Sequence, residues 1–281
     1  MRSTRARLIL VIASAAVAVA VAVIAWAWAT RHRPSSALPS GPAAVTLSAL
    51  PDASVEKKYP RWDSVPNEAL PPASELAPGT LRVLVVGDSV ARFLGNATRF
   101  RQANAQAFVG QRGVGTCSIH PAADGSSCAS DWVTDVTTLH PDVTFIILGG
   151  GFLGPRTCQV DWRKSYNERL TFLLRSIQGD AGRIILALVP YPGERWRVWN
   201  TIALVRCFND ELTKVAKAEG VETLDLIDHV CPTTDCIQTS NGWPVRNDGL
   251  HFDGPGSFET ADWTLGELRR IARGGDAGAP N

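Results

Sequence analysis

Charge of one sign is missing from this sequence. Its 281 residues carry 28 Lys and Arg against 27 Asp and Glu, a net charge of +1. That balance gives no sign of a polyanion as partner, and no nucleic acid is expected. Paired cysteines at C-x-x-C spacing are also missing, and the five histidines are scattered. No zinc site can be read from such spacing, so neither a metal nor another cofactor is expected. No internal repeat and no heptad pattern occurs, which sets aside solenoids and coiled coils. What is present suits a globular domain with accessory segments: 45% of residues are hydrophobic and 20% charged.

The N-terminus departs from that average. Residues 8–30 contain no charge and are almost entirely Ala, Val, Ile, Leu and Trp, enough apolar chain to span a bilayer as one helix. Arg2, Arg5 and Arg7 precede it and Arg31 and Arg33 follow, a slight bias that places residues 1–7 in the cytoplasm and the remainder outside. Trp26 and Trp28 fall at the outer end, where indoles favour the headgroup region. The expectation is a signal anchor and single-pass attachment to the cell membrane. The alternative is a cleaved signal peptide and a secreted protein. Ala25-Trp26-Ala27 and Ala27-Trp28-Ala29 offer cleavage spacing, although signal h-regions run only about 7–15 residues. Both readings export the domain.

Residues 31–79 hold nine of the 18 prolines, and a chain of that composition reads as an extended extracytoplasmic spacer. The stretch Tyr59-Pro60-Arg61-Trp62 is the part suited to pack on the domain. The folded unit is expected over 80–273, followed by a Gly/Ala/Pro tail at 274–281. All six cysteines lie downstream of the apolar segment, and an even set in an exported domain predicts disulfides. Short loops favour the pairs Cys117–Cys128 and Cys231–Cys236, leaving Cys158 with Cys207.

Within the folded unit, apolar runs at 81–86, 107–109, 143–148, 183–189 and 221–226 predict strands. Trp162, Tyr166, Leu170, Leu174 and Ile177 recur at helical spacing, as do Val198, Ile202, Val205, Leu212 and Val215, and then Trp263, Leu268 and Ile271. Strands apolar on both faces, separated by amphipathic helices, predict a three-layer α/β/α domain of flavodoxin-like type with a mainly parallel sheet. Such sheets collect functional residues outside the carboxyl ends of their strands. Ser89, in LRVLVVGDSVARF, stands directly after the first strand. The glycine run in ILGGGFLG stands after the third.

A serine hydroxyl needs a base before it is a useful nucleophile. His140 precedes Pro141 and reads as a helix-end residue. His229 follows the last strand beside Cys231, and His120 lies in a loop after Cys117. His251 is set apart by its company in NDGLHFDGPG: Asp248, three residues earlier, is placed to hold one ring nitrogen while the other faces the serine. The plainer reading of that loop is an exposed His with Asp248 and Asp253 satisfying backbone donors. The strand-end serine, in the right chain order, favours the catalytic one.

Gly87-Asp88-Ser89 and Asp248-x-x-His251 resemble the first and last sequence blocks of the SGNH (GDSL-like) hydrolase superfamily. RGVGTCSI, with the disulfide-prone exported domain, is similar to the SGNH domains of bacterial acyltransferase-3 O-acetyltransferases. The resemblance covers about residues 80–272. It implies Ser89 as nucleophile, His251 as general acid–base and Asp248 as the orienting acid, with Asp88 supporting the nucleophile turn. It implies an oxyanion hole made by the Ser89 N–H and the Gly115 N–H, with Gly113 as the substitute. The superfamily also places an Asn in its third block. Here Gly149-Gly150-Gly151-Phe152 stands instead, and the Gly150 N–H is expected in its place.

The expected function is serine acyl transfer on a cell-surface glycan or other acyl ester, as esterase or O-acetyltransferase, with a membrane acyl-donor protein as the partner that a tether favours. The competing expectation, carried by the absent Asn, is a catalytically silent glycan-binding domain of an acylation complex. The segment YPGERWRVW is placed to cover the site. Trp196, Trp199, Trp132 and Trp243 are the candidates for sugar stacking, against the alternative of core tryptophans.

Overall fold

The structure, a computed structural model, describes residues 70–115, 117–119, 128–148, 153 and 156–274. The expected membrane segment, most of the spacer and the tail lie outside the described residues. Among the described residues, no helix is long and apolar enough to cross a membrane.

Five parallel strands form the central sheet: β1 (Leu81–Gly87), β2 (Ala107–Gly113), β3 (Val143–Ile147), β4 (Arg183–Ala187) and β5 (Glu222–Leu224). Their order is β2-β1-β3-β4-β5. Strand β1 lies between β2 and β3 and is buried along nearly its whole length, because helices cover both faces. The helices are α1 (Ser89–Arg101), α2 (Cys128–Leu139), α3 (Val160–Ile177), the short α4 (Glu194–Arg197), α5 (Ile202–Glu219), α6 (Leu226–Val230) and α7 (Phe258–Ala272). Helix α1 packs on α7, while α2 packs on α3 and α3 on α5. Right-handed crossovers require this division, since the chain leaves β1 in one direction and returns past it from β2 in the other. A three-layer α/β/α domain results. A two-strand hairpin, β6 (Thr239–Ser240) and β7 (Trp243–Pro244), stands apart from the sheet.

The register sets Gly87 of β1 level with Gly113 of β2 and Ile147 of β3. The carboxyl ends of these three strands therefore lie side by side, at the point where the strand order reverses. That crevice is where open α/β sheets form ligand sites.

Several elements differ from the sequence reading. Strand β2 runs four residues past Val109, pairing with β1 as far as Gly113 and taking its polar members into the fold. Gln111 is buried with Nε2 donating to the Gly113 carbonyl, and Arg112 pairs with Asp135. Strand β4 stops at Ala187: two residues on, the Asn209 side chain accepts from the Val189 N–H and donates to the Val189 carbonyl. The helical stripe beginning at Val198 breaks in two. Thr201 caps α5, and Val198 and Trp199 lie between the helices, exposed. Helices α1 and α2 and the small hairpin were not read from periodicity at all.

Packing also reaches back beyond Thr80. Leu70 is buried, and Arg82 Nε donates to the Pro71 carbonyl. The other two Arg82 nitrogens donate to the carbonyls of Leu139 and His140, closing the C-terminus of α2. The disulfides are Cys117–Cys128, Cys158–Cys207 and Cys231–Cys236. The second ties the entry of α3 to α5, and such a covalent loop stabilises by about 2–4 kcal/mol.

Candidate active site

The site begins with a glycine. At Gly87 the backbone takes φ +136°, and a side-chain Cβ there would sit 1.9 Å from the Ile147 carbonyl oxygen. Only glycine lets β1 end this close to β3. The next residue starts the helix: Asp88 is the N-cap of α1, its Oδ1 accepting the Val90 N–H at 2.8 Å. Its own N–H donates to the Ile147 carbonyl, and its carbonyl accepts from Arg92. Asp88 is thus bound into the turn. Ser89 becomes the first residue of α1, just past the carboxyl end of β1, where helix N–H groups have no intrahelical acceptor.

The other half comes from the loop between β7 and α7. Asp248 Oδ1 accepts the N–H groups of Leu250 (2.9 Å) and His251 (2.8 Å), which curls the loop into a turn around its own carboxylate. Asp248 Oδ2 then lies 2.7 Å from His251 Nδ1, and His251 Nε2 lies 2.8 Å from Ser89 Oγ. With the Nδ1 proton donated to Asp248, Nε2 accepts the serine hydroxyl proton. Residues 162 positions apart thus complete one chain of hydrogen bonds. Burial pushes the Asp248 carboxyl up. The hydrogen bonds from the His251 ring and from the His251 and Leu250 N–H groups outweigh it and hold the pKa at about 2. The acid is therefore ionised at neutral pH.

The His251 ring is also fixed by its neighbours. Phe93, one helical turn after Ser89, sits with its ring centroid 4.6 Å away. Trp196 stands edge-on at 6.1 Å, and its Nε1–H donates to the Asp248 carbonyl at 2.8 Å. The loop carrying Trp196 meets the His251 loop backbone to backbone. Gly193 N–H donates to the Gly249 carbonyl at 2.7 Å, and a Cβ on either glycine would approach the other's Cα to 2.9 Å.

Of the expected oxyanion donors, Gly115 lines the same cavity as Ser89 and His251. Gly113 ends β2 opposite Gly87. Gly150 and its neighbours Gly149, Gly151 and Phe152 lie outside the described residues, as does His120. His140 ends α2 in a left-handed conformation with Nδ1 3.0 Å from Asp180. His229 is directed to α7, stacked on Trp263 at 3.9 Å. Trp132 is 1% exposed in the core and cannot meet a sugar. Trp199, at 56% exposure, is on the surface, and Trp243 is half-buried in the hairpin.

A cavity of about 380 Å³ opens beside Ser89. Its inner wall is formed by Leu148, Leu153, Trp162, Tyr166 and Phe208, none of which the sequence reading tied to the site. Trp162 and Tyr166 were visible only as a helix stripe. Phe93 was within reach of sequence reasoning, being four residues after the serine on one helix face. Among the described residues no group of three or more His, Cys, Asp or Glu is arranged to hold a metal.

No family model and no curated protein matches the sequence. Solved structures do match. The lipase/acylhydrolase of Enterococcus faecalis superposes with a TM-score of 0.50 at 17% identity, over 68% of this chain and 97% of that one. The fold is shared with that lipase/acylhydrolase. Also similar is the lipopolysaccharide acetyltransferase periplasmic domain of Salmonella ser. Paratyphi A, with TM-score 0.49 and 15% identity over 65% of this chain and 81% of that one. A catalytic mutant of an acetylxylan esterase from Geobacillus stearothermophilus matches with TM-score 0.43 and 15% identity, over 67% and 94% of the two chains.

Proposed function

We propose that this protein is an exported serine acyl-transfer enzyme that works through Ser89, His251 and Asp248, as an esterase or an O-acyltransferase acting on cell-surface glycan. The observation that carries the reading is the unbroken hydrogen-bonded chain from Ser89 Oγ through both His251 nitrogens to Asp248. In the first half-reaction Ser89 Oγ attacks the ester carbonyl while His251 Nε2 takes the hydroxyl proton. Asp248 holds the ring and stabilises the imidazolium. Negative charge developing on the carbonyl oxygen is met by the N–H groups of Ser89 and Gly115, an arrangement worth several kcal/mol in the transition state. The alcohol leaves with the proton from Nε2. An acceptor hydroxyl, deprotonated by the same nitrogen, then removes the acyl group from Ser89.

Water as that acceptor makes the enzyme an esterase, and a sugar hydroxyl makes it a transferase. The apolar segment at 8–30 and the spacer at 31–79 support a site held outside the membrane yet near it, within reach of a membrane acyl donor. Three disulfides suit an oxidising compartment. A second reading, a silent glycan-binding domain of an acylation complex, is favoured by one feature: Gly149-Gly150-Gly151 stands where the superfamily has its Asn.

The test compares the full chain with Ser89→Ala on an activated acetyl ester. Acetate release falls about 10⁴-fold or more in the variant, and adding acceptor glycan diverts acetyl to sugar if the enzyme is a transferase. Equal rates for the two proteins would remove Ser89 as nucleophile. No release by either would favour the silent domain.

A further inference from the structure

The cavity beside Ser89 is deeper and more apolar than an acetyl group requires. Leu148 just after β3, Leu153, Tyr166 of α3 and Phe208 of α5 are all buried. Trp162 stacks on Tyr166 with centroids 4.6 Å apart, and Tyr166 meets Phe208 edge-on at 5.2 Å, so the aromatic floor is rigid. Burial, with the Asp88 carboxylate nearby, raises the Tyr166 pKa well above its usual value, which keeps the floor uncharged. The cavity volume, about 380 Å³, is more than twice the ~150 Å³ of an apolar cavity that holds a benzene ring. A two-carbon acyl group would leave most of that wall without partners, and an empty apolar wall forfeits its dispersion contacts.

A sugar does not belong in this chamber. Each hydroxyl taken from water needs a hydrogen-bond partner, and the inner wall offers few. Thr157 and Tyr166 have one hydroxyl each and Trp162 one N–H, Ser118 is exposed, and Asp88 Oδ1 is held by the Val90 N–H, too few for the several hydroxyls of a sugar ring. A glycan ester has one apolar half and one polar half, so the acyl chain points inward and the alcohol lies toward the Trp196 rim.

We propose that this chamber selects an acyl chain of about four to six carbons, longer than acetyl, with Leu153, Trp162 and Phe208 setting the length. The inference rests on serine acyl transfer at Ser89. The Ser89 Oγ–acyl carbon bond forms as the acyl–alcohol oxygen bond breaks, and the hydroxyl proton passes through His251 Nε2 to the departing alcohol.

The test measures kcat/KM of the full chain for 4-nitrophenyl acetate, butanoate, hexanoate and octanoate, keeping the leaving group constant. The value rises by at least tenfold from acetate to a maximum at butanoate or hexanoate, since each buried methylene contributes about fourfold. Leu153→Trp, which fills the chamber, moves the maximum toward acetate. Its backbone stays anchored because the Leu153 N–H donates to Asn200 Oδ1 rather than relying on the side chain. Trp162→Ala, which enlarges the chamber, moves the maximum toward octanoate, with circular dichroism checking the fold of both. Turnover that is greatest on acetate, or equal along the series, overturns the inference and leaves serine acyl transfer standing. The same holds if neither folded variant changes the profile. Failure to turn over any of the four esters overturns both.

Discussion

The two walls of the Ser89 cavity are built by different rules. The outer wall is polar and assembled from short-range geometry: Asp88 caps the helix that carries Ser89, and Asp248 curls the loop that carries His251. Each carboxylate first satisfies backbone N–H groups. Asp248 then sets its second oxygen against the histidine ring. The inner wall has no such local logic. Its residues come from the turn after β3, a loop, α3 and α5, and they meet only because the sheet and helices stack. Under the proposed function the chemistry lies on one wall, and under the proposed acyl preference selection lies on the other, so substitutions on the two should separate rate from stability and specificity.

The largest effect on that contrast, after loss of the serine itself, comes from Asp248→Asn. The amide cannot stabilise imidazolium, and kcat should fall about 10³–10⁴-fold, measured on an activated ester. If the rate changes less than tenfold, the orienting role is wrong. Phe208→Ala, on the inner wall, should cost about 3–5 kcal/mol of stability in urea unfolding, with a far smaller loss of rate on a short ester than Asp248→Asn causes. A loss of rate equal to that of Asp248→Asn would erase the division between the walls. Trp196→Phe removes the indole N–H bond to the Asp248 carbonyl but keeps the aromatic edge beside His251. About 1 kcal/mol of stability is expected to go, with a rate loss near tenfold because the ring is less well held. Steady-state kinetics beside thermal unfolding would check both figures.

The smallest effect is in pH dependence. The folded pKa of Asp248, about 2, lies below its usual 3.8. A carboxylate depressed in this way contributes stability above its unfolded pKa and loses it as pH falls through the folded value. The stability advantage of the native protein over Asp248→Asn should therefore be steady above about pH 5 and shrink between about pH 4 and pH 2. An advantage that instead grew on acidification would contradict the assigned hydrogen bonds.

The outer wall was legible in the sequence because its residues declare themselves locally. Ser89 follows an apolar strand, and Asp248 and His251 sit three apart in a glycine-rich loop. Short loops favoured two of the three disulfides, Cys117–Cys128 and Cys231–Cys236, and left Cys158 with Cys207 only as the remainder. The inner wall could not be read, since nothing in Tyr166 or Phe208 beyond helical spacing distinguishes a cavity lining from a core. Burial of polar side chains hid other features. Gln111 and Arg112 extend β2 while looking like loop residues, and the Arg82 bonds that fasten Pro71 and the end of α2 have no sequence signature. Trp132 and Trp196 are alike as residue types, yet one is sealed in the core and the other edges the catalytic ring. Only packing separates them.

The central claim is that Ser89 is an activated nucleophile. Exposing the full chain to a serine-directed phosphonate and mapping the adduct by mass spectrometry tests it most directly. The account predicts one phosphonyl group per chain, on Ser89, and none on the Ser89→Ala or His251→Ala proteins. An unlabelled native protein, or labelling that persists in Ser89→Ala, would contradict it.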